Sequence, residues 1–291
     1  MSILLDEATQ VIIQGVTGRE GSFHARLMRE YGTRIAGGVT PGKGGQLHDG
    51  IPVFDTVAEC RRATGAEASI TFVPKSAAVD SMAEAIRAGL RLVVCTTDGI
   101  PVHDMLLVRA MAREAGCILI GPNCPGVISP ARSKLGFMPS HVYRRGPVGM
   151  MAKSGSLSYE VAYELTRAGL GQSTVVGIGG DPVKGCSFVD LLPLFSDDEE
   201  TRALVLLGEI GGSDEEQAAN WLGRNRMGKP VIAYLVGRTA PPFVKMGHPG
   251  TLFVRNSRSY AEKLERLRGA GATIASSPWD VAACALLLIG R

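Results

Sequence analysis

The sequence has no C-x-x-C pair. Its six cysteines, Cys60, Cys95, Cys117, Cys124, Cys186 and Cys284, are dispersed, and none has a histidine partner at zinc spacing. That pattern argues against a disulfide framework and a structural zinc site, and it predicts a reducing compartment and no bound metal. No block of like charge stands out among 31 Lys and Arg and 28 Asp and Glu, so a generic nucleic-acid-binding surface is not expected. The longest apolar run, residues 281–289, falls far short of the roughly 20 residues that cross a bilayer. The first residues lack the basic and long apolar stretches of a signal peptide. A cytoplasmic protein with no membrane association is expected. Aromatic residues make up only 5% of the chain, whereas glycine, 37 of 291 residues, is nearly double its usual share of roughly 7%. Many tight turns, or many close approaches of backbone to a ligand, are implied.

At 45% hydrophobic and 20% charged, the composition is that of a globular protein, and the length suits two domains. Short β-branched runs alternate with amphipathic stretches, the pattern of parallel sheets covered by helices. Strands are expected at 11–13, 70–73, 92–95 and 117–120, with helices near 22–31, 77–88 and 102–115. Together these make a Rossmann-like unit over residues 1–122. Residues 123–146, rich in proline and without periodicity, read as a junction. A second α/β series occupies 147–291. Its strands are expected at 148–151, 175–178, 204–207, 231–235 and 273–275, and its helices begin near 155, 213, 259 and 278. Ser213-Asp214-Glu215-Glu216 reads as a capping box.

Gly15-Val16-Thr17-Gly18-Arg19-Glu20-Gly21 follows the first strand, where a Rossmann fold places its phosphate-binding loop. The spacing is not G-x-G-x-x-G, and no Asp or Glu lies between Glu30 and Asp49 to meet a ribose. That argues against a nicotinamide cofactor; a glycine turn without a ligand is the plain alternative. Thr40-Pro41-Gly42-Lys43-Gly44-Gly45 supplies Lys43, which suits a phosphate better than a ribose. Residues 37–43 fit the start of a P-loop, but Gly44 stands where the magnesium-binding hydroxyl belongs, so a P-loop is rejected. Thr96-Thr97-Asp98-Gly99 closes a strand at its carboxyl end, leaving Asp98 either a site residue or a helix cap.

In the second half, Lys153-Ser154-Gly155-Ser156-Leu157-Ser158-Tyr159-Glu160 opens a helix with clustered hydroxyls. It reads either as an anion cradle or as simple capping by Ser154. His248 sits between Gly247 and Gly250, a setting that lets an imidazole project. Glu209, just past a strand, is a carboxylate that could orient it. The other histidines, His24, His48, His103 and His141, read as structural or solvated.

These motifs, with Gly121-Pro122-Asn123-Cys124-Pro125-Gly126, Gly177-Ile178-Gly179-Gly180-Asp181-Pro182, Gly208-Glu209-Ile210-Gly211-Gly212 and Met246-Gly247-His248 in order over nearly the whole length, resemble the α subunit of succinyl-CoA synthetase. The resemblance implies a Rossmann-like CoA-binding domain followed by a flavodoxin-like domain carrying a phosphorylated histidine. It implies that Thr17, Gly18, Arg19, Glu20, Lys43, Thr96, Thr97 and Asp98 contact coenzyme A, and that Tyr159 lies beside the carboxylate substrate. Ser154, Gly155 and Ser156 would receive the phosphate, Glu209 would steady the ring, and His248 would carry the phosphoryl group. The reaction implied is reversible ligation of succinate or a close dicarboxylate to CoA, with Mg-ATP or Mg-GTP held by an ATP-grasp β subunit in an αβ or α2β2 assembly.

Two features depart from that pattern. Pro249 replaces the family's alanine after the histidine, and residues 251–260 are bulkier and more basic than the usual glycine-rich stretch. The stretch Lys134-Leu135-Gly136-Phe137-Met138-Pro139-Ser140-His141 is closer to malate–CoA ligase relatives. A malate-specific subunit, a non-catalytic CoA-binding relative and a Rossmann dehydrogenase are the competing readings.

Overall fold

In the computed structural model, which describes residues 2–241, 247–251 and 259–290, the chain forms two compact units. One comprises Leu4–Met138 with Val183–Gly185, and the other Met1–Ile3, Pro139–Pro182 and Cys186–Arg291.

The first unit is built on apolar runs that the sheet buries on both faces. Val11, Ile12 and Ile13 of β1 (Gln10–Gln14) are fully buried, and α1 (Arg19–Tyr31) follows. Helix α1 ends where Gly32 turns left-handed and its N–H bonds back to Met28 and Arg29. Next come β2 (Arg34–Val39), β3 (Leu47–His48), β4 (Ile51–Phe54) and α2 (Val57–Thr64), which Thr56 caps by accepting from the Glu59 N–H. Then follow β5 (Ala68–Thr71), α3 (Lys75–Arg87), β6 (Leu92–Cys95), α4 (Val102–Glu114) and β7 (Ile118–Ile120). The strand order is β3-β4-β2-β1-β5-β6-β7. Only the short β3 is antiparallel to its neighbour. Leaving β3 aside, the order is that of a doubly wound dinucleotide fold, which reverses direction between β1 and β5. Residues 123–146, expected to be irregular, contain the antiparallel hairpin β8 (Gly126–Ser129) and β9 (Ser133–Gly136). Gly126 and Gly136, paired at the open end of the hairpin, let its backbones approach closely and hid it from periodicity.

The second unit runs β10 (Arg145–Ala152), α5 (Gly155–Arg167), β11 (Gln172–Gly177), α6 (Phe188–Asp197), β12 (Ala203–Glu209) and α7 (Asp214–Arg224). It continues with β13 (Val231–Val236), α8 (Tyr260–Gly269), β14 (Thr273–Ile274) and α9 (Pro278–Ile289). Strands β14-β13-β12-β10-β11 are parallel, the flavodoxin-like order, with its switch between β10 and β12. The expected capping box at Ser213 does not form. Ser213 instead accepts from the Gln217 amide at 2.8 Å, and Glu216 lies 3.3 Å from buried Lys263, which draws the carboxylate away from the helix end. No helix among the described residues is long and apolar enough to cross a membrane.

Candidate active site and coenzyme pocket

In the first unit the loop after β1 crosses the carboxyl edge of the sheet at its switch point. Gly21 permits this: a β-carbon there would fall 2.1 Å from the Gly15 carbonyl oxygen. The loop is tied inward because Thr17 donates to the Thr40 hydroxyl at 3.2 Å, while Lys43 Nζ donates to Thr17 Oγ1 at 3.1 Å. Thr40 to Lys43 form a turn closed by Lys43 N–H to Thr40 C=O at 3.1 Å, with Gly42 at φ 79°. Pro41 followed by a left-handed glycine makes this a type II turn. The P-loop-like stretch is therefore a strand and a turn, not a phosphate cradle.

A cavity of about 520 Å³ opens beside this loop, lined by Gly18, Arg19, Glu20, Thr96 and Thr97 together with His24, Phe72 and Phe137. The two threonines directly follow β6 and are tied to the end of the neighbouring β5, Thr96 donating to the Thr71 carbonyl and Thr97 to the Val73 carbonyl, both at 3.0 Å. Five of the eight expected coenzyme residues thus share one wall. Thr17 and Lys43 stand joined behind the loop. Asp98 is exposed and outside the lining, and the α4 cap position belongs to Pro101, so Asp98 is not that helix's cap. His24, read from sequence as structural or solvated, belongs to the pocket. Its ring stacks on Phe72 (5.2 Å, 13°) and tilts against Phe137 (5.8 Å), and its buried Nδ1 has no hydrogen-bond partner. Burial holds its pKa below the ordinary value, outweighing the nearby Glu20 carboxylate. The donor set fits coenzyme A. The N-terminus of α1 with exposed Arg19 and Lys43 suits its phosphates, and the aromatic wall suits its less polar parts.

In the second unit a cavity of about 390 Å³ brings Ser154, Glu209 and His248 together, with Ile210, Gly237 and Thr251 also on its wall. Glu209 is the last residue of β12, its side chain only 5% exposed, and its Oε2 lies 2.7 Å from His248 Nδ1. An ionised carboxylate can only accept, so Nδ1 carries the hydrogen and, in the neutral ring, Nε2 keeps the lone pair. The hydrogen bond to Glu209 raises the His248 pKa, as does the charge of Asp181, while burial and the Lys153 ammonium act the other way and are outweighed. The histidine sits in a turn: the Thr251 N–H donates to the His248 carbonyl at 3.0 Å and the Thr251 hydroxyl at 2.7 Å, with Pro249 at the second position, where its fixed φ is favourable.

Ser154 caps α5, accepting from the Leu157 N–H at 3.4 Å, and lies 3.5 Å from the Ser156 hydroxyl. Capping and a place in the cavity are therefore both realised at Ser154, with Gly155 and Ser156 forming the first turn of the helix beside it. Tyr159, further along α5, is half-buried and not part of the lining. Lys245, Met246 and residues 252–258 lie outside the described residues. Among the described residues no cluster of His, Cys, Asp and Glu is arranged to hold a metal. The sequence reading missed Lys153, Asp181, Glu215 and Lys263, the charged groups around and beneath this cavity. Lys153, Glu215 and Asp181 lie inside motifs read from the sequence, but as flanking or capping residues and not as charges of the site.

Comparison with known proteins agrees with the two units. Residues 6–99 match the CoA binding domain model and residues 151–273 the CoA-ligase model. A coenzyme A domain joined to a ligase domain defines an acid–CoA ligase subunit. The ADP-forming succinate–CoA ligase α subunit 1 of Archaeoglobus fulgidus is 51% identical over 97% of this chain and 96% of its own. The α subunit of Aquifex aeolicus is 49% identical over 96% and 92%, and that of Staphylococcus aureus strain Mu50 is 46% identical over 97% and 93%. The chain belongs to the succinate–CoA ligase α-subunit family. Among solved structures, ATP citrate lyase from Methanothrix soehngenii in complex with citrate and coenzyme A shares the fold (TM-score 0.89, 23% identity). The match covers 99% of this chain and about half (51%) of that one.

Proposed function

We propose that the chain is the α subunit of an NDP-forming acid–CoA ligase acting on succinate or a close dicarboxylate such as malate, with His248 as the phosphoryl carrier. The carrying observation is the 2.7 Å contact between His248 Nδ1 and Glu209, in a cavity shared with Ser154 at the start of α5. Nε2 attacks the γ-phosphorus of a nucleoside triphosphate, a P–N bond forms, and the diphosphate leaves. Glu209 offsets the charge that grows on the ring. The α5 N-terminus, with Ser154, Gly155 and Ser156, receives the carried phosphate through its dipole and free backbone donors. A carboxylate oxygen of the substrate, placed beside Tyr159, then takes the phosphoryl group and releases the imidazole. Coenzyme A is the second substrate and supplies the thiol that displaces phosphate from the acyl carbon. In the first unit Thr17, Gly18, Arg19, Glu20, Lys43, Thr96, Thr97 and Asp98 bind it.

The nucleotide and its magnesium belong to a partner β subunit of ATP-grasp type, in an αβ or α2β2 assembly. Two facts support this division: the relatives are named as α subunits, and the P-loop-like stretch here is a strand and a type II turn. The activity belongs to a cytoplasmic enzyme. The test is a panel of carboxylic acids supplied to the chain with its partner, CoA and Mg-ATP or Mg-GTP. CoA-dependent release of diphosphate with succinate or malate is expected. Turnover confined to monocarboxylates overturns the dicarboxylate assignment.

A further inference from the structure

Beneath the His248 cavity lies a buried ion cluster that the mechanism above does not use. Lys153 Nζ lies 2.8 Å from Glu215 Oε1 and 3.2 Å from Asp214 Oδ2. Glu215, wholly buried, also meets Lys263 Nζ at 2.5 Å. Lys263, itself wholly buried, donates to the carbonyls of Gly211 at 2.7 Å and Gly212 at 3.2 Å. The same Glu215 oxygen that faces Lys153 accepts from the backbone N–H of Glu209 at 3.1 Å.

Through one carboxylate the cluster ties together the pieces that must meet for phosphoryl transfer. Lys153 immediately precedes Ser154, and its own N–H bonds the Leu207 carbonyl of β12 at 3.1 Å. Glu209 ends β12. Lys263 belongs to α8, downstream of the histidine loop. Gly212 lies near both the ammonium and that loop: a β-carbon there would fall 3.9 Å from Lys153 Nζ and 3.8 Å from the Gly250 carbonyl oxygen. Buried charges of this kind contribute little to stability compared with apolar residues of the same volume, so a role in specifying the arrangement accounts better for their presence.

We propose that Lys153 is a positioning residue for the His248–Glu209 pair, held by Glu215 and Lys263 so that its ammonium fixes the end of β12 against the start of α5. The proposal rests on the phosphohistidine reading and deepens it. The described groups whose charge or hydrogen bond acts most on the His248 ring are Glu209 from β12, Asp181 from the loop after β11, and Lys153 from the β10–α5 junction. Lys153 is the cation of the three. Burial opposes its charge, but Glu215, Asp214 and Glu209 outweigh that and keep it ionised. Lys263 meets the other oxygen of the Glu215 carboxylate and the Gly211 and Gly212 carbonyls.

The test uses the complete enzyme and measures single-turnover phosphorylation of His248 from Mg-ATP or Mg-GTP as a function of pH, for wild type and for Lys153→Met, Lys153→Arg and Lys263→Met. Lys153→Met is expected to lower the rate on the order of 10- to 100-fold, with the KM for CoA nearly unchanged. It should also move the acid limb of the profile to higher pH, because the ring loses the cation that opposes its protonation. Lys153→Arg keeps the charge and restores most of the rate. Lys263→Met lowers the melting temperature without moving the acid limb. An unmoved profile in Lys153→Met, or the same shift in Lys263→Met, overturns the proposal by showing a merely structural role. If Lys153→Met does not fold, an acid limb moved to higher pH in Lys263→Met, or a rate in Lys153→Arg lowered on the order of 10-fold or more, overturns it equally. Absence of phosphohistidine in the wild type is a different outcome, one that overturns the reading beneath it.

Discussion

The His248 ring rests directly on the backbone of Gly180. A β-carbon at position 180 would fall 2.4 Å from His248 Cγ and 2.7 Å from Nδ1, while the Gly180 carbonyl accepts from the Gly250 N–H at 2.9 Å. The glycine therefore sets the depth at which the imidazole meets Glu209, and the loop end is stitched to the same residue.

Gly180→Ala is accordingly expected to push the ring away from Glu209. Its phosphorylation rate should fall on the order of 100-fold, the cost of a displacement of about 1 Å at a reacting group. Rapid-quench measurement of His248 phosphorylation checks this, with calorimetry showing CoA affinity retained. A rate within twofold of wild type would contradict the role given to this contact.

Glu209→Gln keeps an acceptor for Nδ1–H but removes the charge, so phosphorylation should slow roughly 100-fold at its optimum. The acid limb of the pH profile should move to lower pH. The hydrogen bond to Glu209 raises the His248 pKa above 6.5, so in wild type the neutral, nucleophilic ring forms only at higher pH. The linked stability has the matching sign. With the folded pKa raised, the pair stabilises the fold fully below the unfolded value of 6.5, and this is lost as pH rises through the folded pKa. The melting-temperature difference between wild type and Glu209→Gln should therefore be larger in acid than in base.

Much of the frame was readable before any coordinates. The continuous apolar runs of β1, β6, β12 and β13 announce strands buried on both faces, and hydroxyls at the starts of α5 and α9 announce helix ends. The segment from β2 to α2 did not read as strands because Gly37 and Gly38 interrupt the pattern. Their smallness is a tertiary requirement, since β-carbons there would strike Cys60 Sγ at 2.5 Å and Val16 Cγ1 at 2.2 Å. The site divides the same way. His248 and Glu209 stand out by residue type and glycine context, and the family resemblance is what pairs them. Lys153, Glu215 and Lys263 do not, because lysine and glutamate read as surface residues until the fold buries them together. His24 joins the coenzyme pocket through Phe72 and Phe137, residues 48 and 113 positions further along the chain, which local sequence cannot reveal.

Lys43 offers an exposed charge and also steadies Thr17. Lys43→Ala should weaken CoA binding roughly fivefold, as expected for a screened surface pair, and the loss should shrink as salt is raised. Titration calorimetry at two ionic strengths checks this, with NAD as a control ligand expected not to bind. Tight NAD binding with no CoA binding would return a dehydrogenase to consideration.

Pro249 fixes the second position of the turn that presents the histidine. Pro249→Ala should loosen that turn and alter the phosphoryl-transfer rate more than CoA affinity. Rates equal to wild type would make the proline neutral.

The central claim is that His248 carries phosphate received from a nucleotide bound elsewhere in a two-subunit enzyme. Its most direct test is to incubate the purified chain with γ-labelled Mg-ATP or Mg-GTP, alone and with its partner subunit, and to map the labelled residue. The account predicts no label on the chain alone and, with the partner, an acid-labile, base-stable phosphate on His248 that His248→Ala abolishes. Self-phosphorylation of the isolated chain, or label that persists in His248→Ala, would contradict it.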